Sequence, residues 1–71
     1  MAVNSRILKG FGAKVKKYRK SKGLTQEDLA NKIRMTATYV GFIEQGQRQP
    51  SIKTADKIAR VLGIRFSELF D

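Results

Sequence analysis

Apolar residues recur at intervals of three and four along nearly the whole sequence, and no stretch of useful length alternates between apolar and polar residues. Glycine, proline and helix-capping residues interrupt this spacing repeatedly. Because a chain of 71 residues has room for only one small apolar core, residues 1–71 are expected to form one domain. The pattern predicts an all-α fold built from five short helices.

Residues that start and end helices set the expected boundaries. The predicted helices cover about residues 5–22, 26–33, 37–45, 52–62 and 67–71. Hydroxyl side chains that accept a hydrogen bond from the first turn are expected at Thr25, Thr36 and Ser51. Glycines that end a helix are expected at Gly23, Gly46 and Gly63.

The expected core collects the apolar positions that share one face of each helix. In the first, second and fourth helices these are Phe11, Val15, Tyr18, Leu29, Ala30, Ile33, Ile52, Ala55, Ile58, Ala59 and Leu62. The third helix contributes only Val40 and Ile43, and Met35 is expected to close its junction with the second. Ile64 and Leu69 are expected to complete the core.

Residues 26–45 are predicted to form a helix, a tight turn and a second short helix. The outer side of that second helix carries Ala37, Thr38, Gly41 and Phe42. In helix-turn-helix proteins the second helix stands off the body and enters a DNA major groove by its N-terminus. These side chains are therefore expected to face something other than the core. Gly41 either allows the backbone to approach the groove closely or has no particular role.

Positive charge is concentrated at the start of the chain, where residues 1–22 hold eight Lys and Arg and no acid. The whole chain has a formal charge of +9. Such a field favours a polyanion, either nucleic acid or an anionic membrane surface, although a merely solvated face is the alternative. The first helix lacks the broad apolar face and tryptophan of a membrane-inserting helix. Lys17 and Lys20 are expected to add long-range attraction to DNA.

Several classes of protein are disfavoured by composition. The chain has no cysteine and no histidine, which excludes disulfides and zinc-finger chemistry. A nucleophile–base pair would have to use Ser, Thr, Lys or carboxylates, so an enzyme is not expected, and neither is a metal, cofactor or small-molecule ligand. No apolar run approaches the ~18 residues of a membrane span, and no signal peptide is seen. A cytoplasmic protein is expected.

The segments "LTQEDLANKIRMTATYVGFIEQGQRQPS" and "ADKIARVLGIRFSELF" resemble the phage repressor and Cro type of helix-turn-helix protein. The resemblance covers about residues 11–70. It implies a compact five-helix lambda-repressor-like bundle, with the helix-turn-helix at helices two and three, that binds operator DNA as a symmetric dimer and regulates transcription. The segment "TYVGFIEQGQRQPS" also resembles controller proteins of restriction–modification systems.

The resemblance assigns roles to particular positions. Residues implied to read base edges are Thr36, Ala37, Thr38, Tyr39 and Phe42. Residues implied to contact DNA phosphates are Gln26, Tyr39, Gln45, Gln47 and Arg48. Phe42 could instead pack beside the fourth helix or simply be exposed. Because Ala37 lacks the long polar side chain that many relatives carry there, specificity is expected to depend partly on DNA shape.

Other residues are implied to have structural roles. Arg19 and Glu44 match a family pair that forms an internal salt bridge. Arg34 replaces the usual glycine of the turn, so it must take a left-handed conformation or distort the turn, at a cost on the order of 1 kcal/mol. Phe66 and Phe70 either complete the core or form a homodimer interface. An alternative function is a protein-interaction module of the same fold, such as an antitoxin.

Overall fold

The computed structural model describes the backbone of residues 5–70 and the side chains of residues 10–70. Within that part of the chain there are four α-helices and no strand. They are α1 (Ser5–Ser21), α2 (Gln26–Ile33), α3 (Ala37–Glu44) and α4 (Ile52–Leu62). The all-helical class is therefore confirmed. The side chains of Arg6 and Lys9, two of the basic residues noted above, lie outside the described residues.

The prediction of a fifth α-helix was wrong, because Phe66–Leu69 forms a single 3₁₀ turn. Its backbone bonds join residues three apart: Glu68 N–H donates to Arg65 O at 3.0 Å, and Phe70 N–H donates to Ser67 O at 3.0 Å. A segment of four residues is too short to propagate an α-helix, and the tighter turn satisfies its backbone within that length. It still brings Leu69 fully into the core.

The helix starts follow the capping chemistry expected from the sequence. Thr25 Oγ1 accepts from Asp28 N–H at 2.9 Å, while Asp28 Oδ2 accepts from Thr25 N–H at 2.9 Å. The hydrogen bond that the Thr25 backbone N–H donates to the Asp28 carboxylate is the main reason that the pKa of this carboxyl lies below its ordinary value. Ser51 Oγ caps α4 by accepting from Thr54 N–H at 3.1 Å. Both caps satisfy donors that a helix start leaves without partners.

Arg34 ends α2 in the left-handed conformation, with φ 61° and ψ 44°. The strain of this conformation in a residue with a Cβ is offset by closing hydrogen bonds, since Met35 N–H donates to Ala30 O at 2.8 Å. The turn keeps its geometry without glycine. As a result, α2 and α3 are joined by only three residues, 34–36.

The core lies between α1, α2, α3, α4 and the 3₁₀ turn. Its buried apolar residues are Phe11, Val15, Leu29, Ala30, Ile33, Val40, Ile43, Ala55, Ile58, Ala59, Leu62 and Leu69. Tyr18 and Ile64 are only partly buried and pack against its edge.

Two residues expected in the core lie at the surface instead. Ile52 is 79% exposed, because it is the first residue of α4 and the buried side chains at that end are those of Pro50 and Thr54. Met35 is 38% exposed in the turn, and the junction of α2 with α3 is closed by deeper residues of the two helices. The expectation that these two side chains lie in the core was therefore wrong.

Helix α1 crosses α3 at Gly12, where the two backbones are in direct contact. A Cβ at this position would lie 2.2 Å from Ile43 O and 2.6 Å from Glu44 O. Those atoms belong to the end of α3 and cannot move without shifting the helix. The missing side chain at Gly12 therefore sets the distance between α1 and α3.

We expect Gly12→Ala to lower the free energy of unfolding by about 3 kcal/mol or more, because the added methyl must push two backbones apart. Urea titration followed by circular dichroism measures this change. Gly10→Ala is the matched control, since a Cβ there meets nothing within 4 Å and alanine favours the helix. Equal stability of the two variants would contradict the close crossing.

Candidate nucleic-acid interface

Helix α3 has an inner face packed in the protein and an outer face that stays open. The inner residues are Val40, Ile43 and Glu44, all buried. The outer face borders an open depression of about 320 Å³, together with the first residue of α2. The residues lining this depression are Gln26, Ala37, Thr38, Gly41, Phe42 and Gln45. The two helices of the motif thus contribute residues to one continuous surface.

The start of α3 is fixed by Thr36, whose Oγ1 accepts from Tyr39 N–H at 3.1 Å. Thr36 and Thr38 are both exposed. Tyr39 is half-buried, and its side chain packs against the core cluster. Tyr39 therefore also contributes to packing, while the side chain of Thr38 is directed to solvent.

A buried ion pair holds the end of α3 against α1. Arg19 Nε donates to Glu44 Oε2 at 2.6 Å, and Arg19 Nη2 donates to Glu44 Oε1 at 3.1 Å. The remaining guanidinium nitrogen, Nη1, donates to Leu24 O at 2.7 Å. One guanidinium thus joins α1, the loop before α2 and the last turn of α3. Such planar two-point pairing is the strong form of the arginine–carboxylate interaction.

Gln26 extends this network to the open surface. Its Nε2 donates to Glu44 Oε1 at 3.1 Å, so the same buried carboxylate that pairs with Arg19 also orients the amide. Gln26 lies in the first turn of α2, where backbone N–H groups face outward and favour an anion. The amide is therefore held in place at one wall of the depression.

The loop after α3 places polar and basic groups beside the depression. Gln45, Gln47 and Arg48 are exposed. The Arg48 guanidinium lies 6.0 Å from the centre of the Phe42 ring, and Gln47 N–H donates to Phe42 O at 2.8 Å. Phe42, a residue of α3 that is 37% exposed, thus contacts the loop that follows the helix.

Phe66 and Phe70 do not line the depression. Their ring centres lie 5.1 Å apart, and the Phe70 ring lies 5.2 Å from that of Phe11 in α1. Phe66 is 36% exposed and Phe70 is 51% exposed. The three rings form an aromatic cluster (Phe11, Phe66 and Phe70) with one buried and two exposed members.

Two contacts of the site could not be found from the sequence. The Gln26–Glu44 hydrogen bond joins residues 18 positions apart, and no local spacing indicates it. The approach of Arg48 to Phe42 depends on the path of an irregular loop. In contrast, the outward positions of α3 follow directly from helical periodicity.

Two features are absent from the described residues. None of the described helices combines the length and apolar character needed to cross a bilayer. Within the same part of the chain, no group of three or more carboxylates is arranged to hold a metal ion.

We expect Glu44→Ala to lower the free energy of unfolding by about 3–5 kcal/mol, because it leaves the Arg19 guanidinium buried without its counter-charge. The control is Asp56→Ala, which removes the exposed Arg60–Asp56 pair at 2.9 Å. That change should cost less than about 1 kcal/mol. Chemical denaturation of both variants gives the comparison, and similar losses would argue against a stabilising role for the buried pair.

Comparison with known proteins places this geometry in context. The helix-turn-helix family model matches residues 15–69. Control protein C.MunI from Mycoplasma sp is 48% identical over 61 residues, covering 84% of this chain and 82% of that protein. The crystal structure of the restriction–modification controller protein C.AhdI from Aeromonas hydrophila has a TM-score of 0.84 and 41% identity, covering 89% of this chain and 96% of that one.

A further solved structure shows a similar fold with DNA present. It is the master regulator for biofilm formation SinR in complex with DNA, with a TM-score of 0.80 and 34% identity, covering 86% of this chain and 98% of that chain. The family-model match over residues 15–69 spans both helices of the motif and the 3₁₀ turn. This chain therefore belongs to the helix-turn-helix family of DNA-binding transcriptional regulators.

Proposed function

We propose that residues 1–71 act as one DNA-binding domain that recognises a specific operator as a dimer, with one subunit on each of two half-sites. In the proposed complex α3 lies in the major groove with its N-terminus toward the bases. The observation that carries the proposal is the outer face of α3, which is open and borders a depression while the inner face is anchored by a buried ion pair.

The charge distribution supports a duplex as the partner. The exposed lysines of α1 include Lys16, Lys17 and Lys20, and the chain as a whole carries +9. Neutralising phosphates releases counterions from DNA, which favours binding at low salt. These lysines are proposed to contribute long-range attraction that does not depend on base sequence.

Base readout is proposed for the residues at and after the start of α3. They are Thr36, Ala37, Thr38, Tyr39 and Phe42. Among them, the Thr38 hydroxyl can hydrogen-bond a base edge, whereas Ala37 and Phe42 offer only apolar contact. DNA shape is proposed to supply part of the specificity, because α3 contains no Arg, Lys, Asn or Gln for two-point base contacts.

Phosphate contacts are proposed on both sides of α3. The residues are Gln26, Tyr39, Gln45, Gln47 and Arg48. The amide of Gln26 is oriented by Glu44 and stands beside the backbone N–H groups that begin α2. Arg48 supplies a full positive charge, and its guanidinium lies 6.0 Å from the centre of the Phe42 ring.

The exposed members of the aromatic cluster, Phe66 and Phe70, are proposed to form the dimer interface. Side chains that are 36% and 51% exposed can bury apolar area only against another molecule. A two-fold arrangement would present the same patch from both subunits. Regulation by protein concentration, through the monomer–dimer equilibrium, follows as part of the proposal.

The controlled genes are proposed to be those of a restriction–modification system. The similarity to C.MunI and to the controller protein C.AhdI extends over more than four fifths of this chain in each case. A small chain of this kind would sense its own concentration through dimer formation and occupy its operator accordingly.

Selection of genomic fragments with the purified chain tests the proposed function. We expect a recovered site with two half-sites about 10 base pairs apart. Affinity should fall by ~10³–10⁵ between 50 and 200 mM salt if six to ten phosphates are neutralised. Thr38→Val should change the preference at one base position of each half-site by about fivefold, because it removes a hydroxyl and keeps the shape.

Lys20→Ala is the control for that selection. It should weaken selected and unselected duplexes by the same factor and reduce the salt slope by about 1. Recovery of no preferred fragment, or equal effects of both variants on all duplexes, would contradict sequence-specific recognition by α3.

The dimer interface is tested separately by sedimentation equilibrium across a dilution series. Phe70→Ala should weaken dimer formation by at least tenfold, because it removes the more exposed ring of the patch. Met35→Ala is the matched control, as an exposed apolar side chain of similar accessibility to Phe66 that lies in the turn of the motif. Equal dissociation constants for the two variants would rule out the aromatic interface.

A further inference from the structure

Gly41, in the middle of α3, has no role that folding explains. Its φ is not positive, so the backbone conformation there does not require glycine. A Cβ on Gly41 would lie 3.7 Å from Nε2 and 3.8 Å from Oε1 of Gln26, an ordinary contact distance that any alanine tolerates. Gly12 differs, since a Cβ there would overlap backbone atoms. Because glycine also weakens a helix interior, the missing side chain at position 41 needs a reason outside the molecule.

That reason lies in the depression described above, which Gly41 borders. On the α3 side, Ala37 and the ring of Phe42 give this surface an apolar wall beside Gly41, whereas Gln26 and Gln45 line it with amides. The Gln26 amide is fastened to Glu44 at 3.1 Å, so the wall on the α2 side is fixed in position. The depression, called the recess below, is therefore preformed and has one apolar wall, contributed by α3, on the face proposed to meet DNA.

The chemistry of the major groove identifies what such a recess can accept. Base-pair edges there carry hydrogen-bond donors and acceptors and one apolar group, the C5-methyl of thymine. The net charge of +9 brings a duplex to this surface, and the outer face of α3 offers methyl and aromatic contacts in place of amide or guanidinium groups. The apolar wall that α3 contributes to the recess thus matches the thymine methyl.

We propose that the recess beside Gly41 receives the C5-methyl group of one thymine in each half-site, and that Gly41 determines this specificity by leaving the space that a Cβ would fill. The inference rests on the proposed function, since it needs α3 in the major groove. It adds the identity of a recognised group and the residue that selects for it.

The test uses the duplex selected by the native chain, with each thymine replaced in turn by deoxyuridine. This substitution removes only the methyl and keeps base pairing. We expect one thymine in each half-site whose replacement weakens binding about fourfold, the loss of one buried methyl group. Gly41→Ala should weaken binding to the unmodified duplex at least tenfold and should be indifferent to deoxyuridine at that same position.

Stability separates this effect from damage to the fold. Gly41→Ala should raise the melting temperature by about 5 °C, because alanine stabilises a helix interior. Gly10→Ala is the matched control: it adds the same methyl to a helix where nothing lies within 4 Å, and it should leave the affinity for DNA unchanged. A variant that is more stable yet binds the operator less well would support a recess kept for DNA.

The outcomes distinguish a failure of this inference from a failure of the proposed function. If no duplex is selected, the proposed function fails and the inference falls with it. If a duplex is selected but its half-sites lack thymine, tolerate deoxyuridine everywhere, or bind Gly41→Ala with full affinity, the inference alone is overturned.

Discussion

The surface proposed to meet DNA depends on the buried pair between Arg19 and Glu44. Taking two charges out of water is costly, and the cost is offset here because the carboxylate accepts three hydrogen bonds and the guanidinium also donates to Leu24 O. The pair lies where α1, the loop before α2 and the end of α3 meet. Gln26 also donates to the Glu44 carboxylate, and this hydrogen bond fixes its amide at the open surface. One buried interaction therefore holds in place both the helix that faces outward and the residue beside it.

A glycine lies at each face of α3, and the two glycines differ in what surrounds them. On the inner side, Gly12 of α1 lets two backbones approach so closely that a Cβ would overlap the carbonyl oxygens of Ile43 and Glu44. On the outer side, Gly41 meets no such obstacle within the protein. A short helix with so small a buried face is held by its neighbours more than by its own composition, because helices of eight residues are marginal in isolation. This leaves its outer residues free of packing constraints.

Much of the fold follows from local chemistry that the sequence displays. The caps at Thr25, Thr36 and Ser51 form as expected, since each hydroxyl needs only the backbone N–H three residues ahead. Of the two alternatives left open for Arg34, a left-handed conformation or a distorted turn, the structure shows the first. The errors concern depth and helix type: Ile52 and Met35 lie at the surface, and the expected fifth α-helix is one 3₁₀ turn. Periodicity gives the direction of a side chain but not how far the core extends beneath it.

The sequence by itself determined the helical class, the boundaries of the four α-helices to within one residue and the outward residues of α3, because these depend on spacing and capping within a few positions. It also showed the excess of positive charge that favours a polyanion. Only the tertiary structure decided which glycine is required by packing and which is not, and that Gln26 donates to the carboxylate of the Arg19–Glu44 pair. Those facts depend on the distance between elements far apart in the chain. That distance is set by the packing of the whole core, which no local pattern contains.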